Sequence, residues 1–314
     1  MEPFYIEDCP KIPINSKGWY LQGFSRAGDR TGFVLHPQKF LFDCGVRTNQ
    51  TCKNVFMTHV HTDHSLELPS ICNRHKLSDS DQPFQIYAPS SSIKHLSLLF
   101  RAVAQLSFPD SEFQTEEQIL GRAKVDFHGV NAGDRFLVGN SKASSEIQYE
   151  MEIFPSYHPV QCVGYGLASL KRKLKAEYLA IMTDESIDKR ERVKQLEDLK
   201  RDPLIDLYTI TRTPEILFFC DSSILNLTGH EGWKVYPTIV CECTGLFLDH
   251  QKKSEEEYLR NGHTCLSQLL PIIKLHKEKK WILIHVSTGI RSEEIERVEN
   301  HLREEESLDI TIYH

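Results

Sequence analysis

The segment Thr58-His59-Val60-His61-Thr62-Asp63-His64 constrains this chain more than any other. Three histidines and an aspartate fall within six positions, directly after the apolar run Asn54–Met57. Alternate residues on an extended chain point the same way, so His59 and His61 face one site together. Asp63 and His64 follow on the turn that leaves the strand, where the chain can bring them to a second, nearby site. Imidazole and carboxylate suit zinc better than magnesium or calcium, which prefer shells made wholly of oxygen. A solvated polar cluster is the bland alternative. Four such residues at this spacing, at a strand end, favour ligation over it.

A metal pair needs more ligands than four, and each further candidate ends an apolar run. His158 follows Ile153-Phe154-Pro155-Ser156-Tyr157, Asp221 follows Ile216-Leu217-Phe218-Phe219-Cys220, and His285 follows Trp281-Ile282-Leu283-Ile284. Ligand sites in α/β sheets gather beyond the carboxyl ends of strands. Singly, each has an ordinary reading as a hydrogen-bonded strand-end histidine or a helix-capping aspartate. In this order, they complete two shells.

Composition sets outer limits. The chain has 314 residues, 40% hydrophobic and 26% charged, which suits a globular fold with a substantial core. Thirty-seven Lys and Arg against 44 Asp and Glu leave a formal charge of −7, so any nucleic-acid contact must come from a local basic patch or a bound metal. Nine cysteines, scattered without a framework, read as reduced and intracellular, with Cys241 and Cys243 as buried strand residues. The N-terminus lacks a basic, then apolar, leader. No stretch approaches the ~20 apolar residues of a membrane span. The expected location is cytosol or nucleus, with no membrane contact.

Further apolar runs, rich in Val, Ile, Phe and Tyr, predict strands at Phe33–Leu35, Phe40–Asp43, Asn54–Thr58, Gln85–Ala88, Glu152–Pro155, Gly164–Leu170, Ile216–Asp221, Thr238–Cys243 and Trp281–Val286. Helical spacing predicts helices at Ser91–Leu106, Leu266–Lys277 and Ser292–Glu305. Strands and helices alternate in two halves, which points to sheets covered by helices on their outer faces. No repeat or Gly/Ser linker divides the chain, so residues 1–314 read as a single domain, and the charged, helix-forming stretch up to Asp206 reads as an exposed insertion.

The series His59-x-His61-x-Asp63-His64, lone His158, lone Asp221 and final His285 resembles the five-motif signature of the metallo-β-lactamase superfamily. Asp43 in Leu41-Phe42-Asp43-Cys44-Gly45 matches its first motif, an aspartate that buttresses the metal loop. The resemblance runs from about Gly32 to Ile295. It implies an α/β fold, an αββα sandwich of two mixed β-sheets flanked by helices. It further implies one zinc on His59, His61 and His158, another on Asp63, His64 and His285, and Asp221 as the bridge. Manganese or iron(II) would accept the same ligands.

Within the superfamily the chain most resembles the short form of ribonuclease Z, a tRNA 3′-processing endonuclease. Leu170–Tyr178 resembles a segment those enzymes carry after the His158 strand. Cys241-Glu242-Cys243-Thr244 resembles their His-Glu-Ala-Thr motif, and Gly262-His263-Thr264 their Gly-His-Ser-Thr motif. The resemblance implies precursor tRNA as partner, a homodimer, Asp63 assisting deprotonation of the nucleophile, and a Glu242–His263 pair. Glu242 would orient His263 and keep it protonated for the leaving oxygen. Lys171, Arg172, Lys173 and Lys175 form a candidate phosphate-binding run, whose bland alternative is a lysine-bearing strand edge. Tyr165 and Tyr178 offer stacking faces. The chain departs from the family at Glu67, where a glycine is usual, at Cys220-Asp221-Ser222 in place of Gly-Asp-Thr, and after His285. There the usual Arg-Tyr is missing, with Arg291 near. No glycine- and proline-rich arm is visible, and residues 171–206 stand as a shorter charged arm. Two other functions fit the same residues: a small-molecule phosphodiesterase of this fold, and a non-catalytic scaffold binding RNA or protein. The intact ligand set counts against the scaffold.

Overall fold

The computed structural model describes residues 4–77, 82–107, 118, 124–139, 147–202, 205–247 and 253–313. Among these, two β-sheets stack face to face. The first contains β1 (Lys11–Pro13), β2 (Tyr20–Ala27), β3 (Arg30–His36), β4 (Phe40–Phe42), β5 (Asn54–Phe56), β6 (Phe84–Pro89) and β7 (Val125–Val130), in that spatial order. The second runs in reverse spatial order from β15 (Ile310–Ile312) through β13 (Lys280–Ile284), β12 (Thr238–Glu242), β11 (Tyr208–Phe218), β10 (Cys162–Leu174) and β9 (Ile147–Ser156) to β8 (Arg135–Val138). The two-residue β14 (Val286–Ser287) crosses back to pair with β2. Each sheet is antiparallel in one part and parallel in the other. Both sheets are therefore mixed, as the resemblance implies.

The parallel strands read as unbroken apolar runs because both their faces are covered. Phe40–Phe42 and Thr238–Glu242 are buried at every position. Between the sheets, Phe33, Phe42, Phe56, Tyr165 and Phe218 pack in edge-to-face, tilted and stacked pairs. A second core lies on the outer side of the second sheet, where Trp233, Trp281, Leu269, Ile273, Ile295 and Val298 meet. The helices are α1 (Thr62–Ser65), α2 (Leu68–Leu77), α3 (Ile93–Ser107), α4 (Ala176–Thr183), α5 (Lys189–Arg201), α6 (Leu225–Thr228), α7 (Glu255–Arg260), α8 (Leu266–Leu275) and α9 (Ser292–Asn300). Among the described residues, no helix is long and apolar enough to cross a membrane.

All nine predicted strand runs lie on or at the end of strands, and the three predicted helices match α3, α8 and α9. The sequence pattern does not reveal β2, whose polar Gln22, Ser25 and Arg26 break the apolar run. All three are buried and hydrogen-bonded: Gln22 donates to Cys9 O at 2.8 Å, Ser25 meets Thr31 Oγ1 on the paired strand at 2.9 Å, and Arg26 donates to Ile290 O at 2.7 Å. The charged insertion is largely helical, as its composition suggests, and it stands on a β-ribbon. Among the described residues, β10 and β11 pair only with each other beyond Lys171, and their ends carry α4 and α5. Residues 203–204 of the insertion lie outside the described residues.

Candidate metal centre and acid pair

The strands of both sheets end on one edge, and the residues that follow them converge there. β4 delivers Asp43, β5 the loop Thr58–His64, β9 His158, β11 Asp221, β12 Glu242 and β13 His285. Asp43 and His285 take left-handed backbone conformations, with φ of 56° and 59°. Such conformations cost a non-glycine residue roughly 1–3 kcal/mol, and they gather where a site over-determines the backbone.

Two clusters result. His59, His61, His158 and Asp221 bring ligand atoms within 4.8 Å of one another, and so do Asp63, His64 and His285. In the first, His59 Nε2 lies 3.0 Å from His61 Nδ1 and 3.7 Å from Asp221 Oδ2, with His158 Nε2 4.0 Å from that same oxygen. In the second, Asp221 Oδ1 lies 2.9 Å from His285 Nε2 and 3.3 Å from His64 Nε2, while Asp63 Oδ2 is 3.4 Å from His64 Nε2. Asp221 thus turns one oxygen to each cluster. Ligand atoms around one tetrahedral zinc are separated by ~3.3 Å, so these spacings fit a small cation. The Nε2 atoms of His64, His158 and His285 are buried and make no hydrogen bond in the structure. Orphaned ring nitrogens aimed at common points are what a metal pair would satisfy.

The other ring nitrogens are spoken for. His64 Nδ1 donates to Asp43 Oδ2 at 3.0 Å, and His158 Nδ1 donates to the Gly262 carbonyl at 3.0 Å. Thr58 gives its hydroxyl proton to Asp43, so His59 Nδ1 donates to the Thr58 oxygen at 3.1 Å. These bonds fix tautomer and ring orientation and leave Nε2 free. Asp43 also accepts the Thr58 N–H at 2.7 Å. Full burial raises its pKa, although His64 and Thr58 oppose that rise. Gly45 is required behind the loop, because a Cβ there would stand 1.7 Å from Asp63 O. At Gly262 (φ 70°) a Cβ would press on His158 Cα and Nδ1 at 2.9 Å.

Glu242 lies beneath His263. The His263 Nδ1 to Glu242 Oε2 distance is 3.1 Å, and the Ser222 N–H donates to Oε1 at 2.7 Å. Glu242 is 1% exposed, whereas the His263 side chain is 25% exposed and so reachable from outside. Burial pushes Glu242 up, but His263 and, after it, His285 outweigh that rise and the carboxyl sits below its usual range. Burial likewise pushes His263 down, but Glu242 outweighs it and the imidazole sits above its usual range. The His263 ring is 5.7 Å from that of His285 and 5.2 Å from that of His158, so the pair borders both clusters.

Other expected residues fare differently. Lys171 and Lys173 are exposed and share one face of the ribbon. Arg172 lies on the other face, its guanidinium 4.3 Å from the Tyr208 ring, and Lys175 faces Asp206 at 3.7 Å. The basic run is therefore split, with two lysines open to an outside charge and two cations already engaged. Tyr165 offers no stacking face. It is wholly buried between the sheets, donating to Met57 O at 2.8 Å, because strand alternation turns it inward. Glu67 accepts from Arg47 Nε at 2.9 Å, and Arg47 in turn covers the Phe4 ring. Cys241 and Cys243 are buried free thiols. Sequence reasoning missed Thr58 and gave no role to Gly262 or Gly45, although each directly flanks a motif.

No protein-family model matches the chain. Its similarity to named proteins is nonetheless extensive. It is 26% identical over 291 residues to tRNase Z TRZ1 of Arabidopsis thaliana, covering 91% of each chain. It is 24% identical over 325 residues to ribonuclease Z of Methanococcus maripaludis, covering 94% of this chain and 92% of that one. The metallo-β-lactamase fold protein YhfI from Bacillus subtilis superposes with a TM-score of 0.50 at 12% identity, covering 93% and 96% of the two chains. With two stacked mixed sheets and a His/Asp centre at their common edge, the chain has the metallo-β-lactamase fold, and along most of its length it resembles ribonuclease Z.

Proposed function

We propose that this protein is a metal-dependent endoribonuclease that removes 3′ trailers from precursor tRNA. The observation that carries the reading is the Glu242–His263 pair on the border of two His/Asp clusters bridged by Asp221. Phosphodiester hydrolysis needs an activated water, neutralised charge on the phosphate, and a proton for the leaving oxygen. Two divalent ions, zinc in our reading, would supply the first two when bound. His59, His61 and His158 would hold one, Asp63, His64 and His285 the other, with Asp221 between them.

The chain's own groups do the rest. Asp63 reaches the second cluster from the loop and accepts the Gly28 N–H at 3.2 Å. That leaves it placed to take the proton of the attacking water. Glu242 keeps His263 protonated, and the exposed edge of His263 presents that proton to the leaving oxygen. Lys171 and Lys173 on the ribbon would meet tRNA phosphates, and the ribbon would serve as the arm, in a homodimer, that presents the substrate. A tRNA substrate fits residence in cytosol or nucleus.

The test is to strip metal with a chelator, restore zinc, and assay a 3′-extended precursor beside bis(p-nitrophenyl) phosphate. Both activities are expected to vanish and return together. Turnover of the small diester alone, with the precursor left whole, would overturn the tRNA assignment in favour of a small-molecule phosphodiesterase. The Gly289-Ile290 sequence, where Arg-Tyr is usual, would then be the first place to look.

A further inference from the structure

The outer ring nitrogen of His285 faces Thr244. Thr244 Oγ1 is 3.2 Å from His285 Nδ1 and 3.2 Å from the His285 carbonyl, with Glu242 Oε2 in short contact and His263 Nδ1 at 3.5 Å. A hydroxyl has one proton. The nearest acceptor is also the charged one, so the proton goes to the Glu242 carboxylate. The hydroxyl oxygen is then an acceptor, and His285 Nδ1 donates to it. Glu242 Oε2 also faces that nitrogen, but from further away at 3.5 Å.

We infer that Thr244 is a positioning residue: its single hydroxyl fixes His285 with Nε2 free toward the second ion while holding Glu242 in place beneath His263. The inference deepens the proposed function and rests on its assignment of His285 as a ligand. It gives the second ion's histidine the outer partner that Asp43 gives His64 and Gly262 gives His158. It also joins the ion site and the acid pair through one atom. A merely structural threonine would support the turn after β12 without altering either.

The experiment compares Thr244→Val, of nearly the same shape but without the hydroxyl, with Thr244→Ser, which keeps it. Each metal-free protein is titrated with zinc alone, and stoichiometry and affinity are read by calorimetry, with circular dichroism checking the fold. Wild type is expected to take two ions. Thr244→Val should bind the second ion about 10–100-fold more weakly, and Thr244→Ser should recover it. If Thr244→Val fails to fold, Thr244→Ala serves in its place with the same expectation. A folded Val or Ala variant that binds both ions as wild type does would overturn the role of Thr244 while leaving the two-ion reading intact. Wild type that takes up no zinc would overturn that reading and this inference with it.

Discussion

Glu242 and His263 set each other's charge, and this has a consequence in pH. Burial alone would raise the glutamate and lower the histidine, but their 3.1 Å contact, helped by His285 at the glutamate and Asp221 at the histidine, reverses both. His263 is therefore protonated to a higher pH than the usual ~6.5. As the proposed acid it works below its pKa, and the rate falls as pH rises through that value. Glu242→Gln removes the charge that lifts His263 and leaves the burial that depresses it. The alkaline limb of kcat/KM should then move to lower pH, with a loss at neutral pH of about 10²–10⁴-fold, the usual worth of a positioned acid. An alkaline limb that stays where it was would remove His263 from the proton-transfer role. The residues of the two His/Asp clusters were legible in the sequence because few side chains bind metal and each of these ends an apolar run. Their partners were not. Thr58 and Gly262 act through a hydroxyl and a carbonyl, groups that many residues carry, and only the fold shows which ones lie against a ring nitrogen.

Elements were readable where one physical rule governs them. Strands buried on both faces announce themselves as apolar runs, which is why β4, β12 and β13 fall where expected. β2 escaped because polar Gln22, Ser25 and Arg26 interrupt its apolar run, and their partners lie outside the strand. The ribbon escaped for the opposite reason. The first half of β11 is largely exposed, so no buried face stamps a pattern on it. Lys171, Arg172 and Lys173 are all exposed, and strand alternation puts the two lysines on one face and Arg172 on the other, over Tyr208. Replacing both lysines by alanine should weaken precursor binding and reduce the slope of log affinity against log salt by about 2, roughly one for each phosphate no longer neutralised. Turnover of bis(p-nitrophenyl) phosphate should not change. An unaltered salt slope would place the RNA-binding surface elsewhere.

At the scale of the molecule, the centre exists only where the two sheets meet. The first sheet contributes His59, His61, Asp63 and His64, and the second His158, Asp221, Glu242 and His285. An ion bound there ties the two together and is absent from the unfolded chain, so metal must add to stability. Zinc at a hundred times its dissociation constant should contribute about 2.7 kcal/mol per site, read as a fall in the unfolding midpoint on chelation and its return on adding zinc. A midpoint indifferent to both would mean the clusters hold no ion. The net charge of −7 is compatible with this arrangement if positive charge comes locally from the proposed ions and from Lys171 and Lys173. The most direct test of the whole account is to map, at nucleotide resolution, the product of a 3′-extended precursor tRNA treated with the protein and with His61→Ala. One metal-dependent cut on the 3′ side of the acceptor stem is expected, abolished in the variant. Full cutting by His61→Ala, or an intact precursor from protein holding two zinc ions, would contradict it.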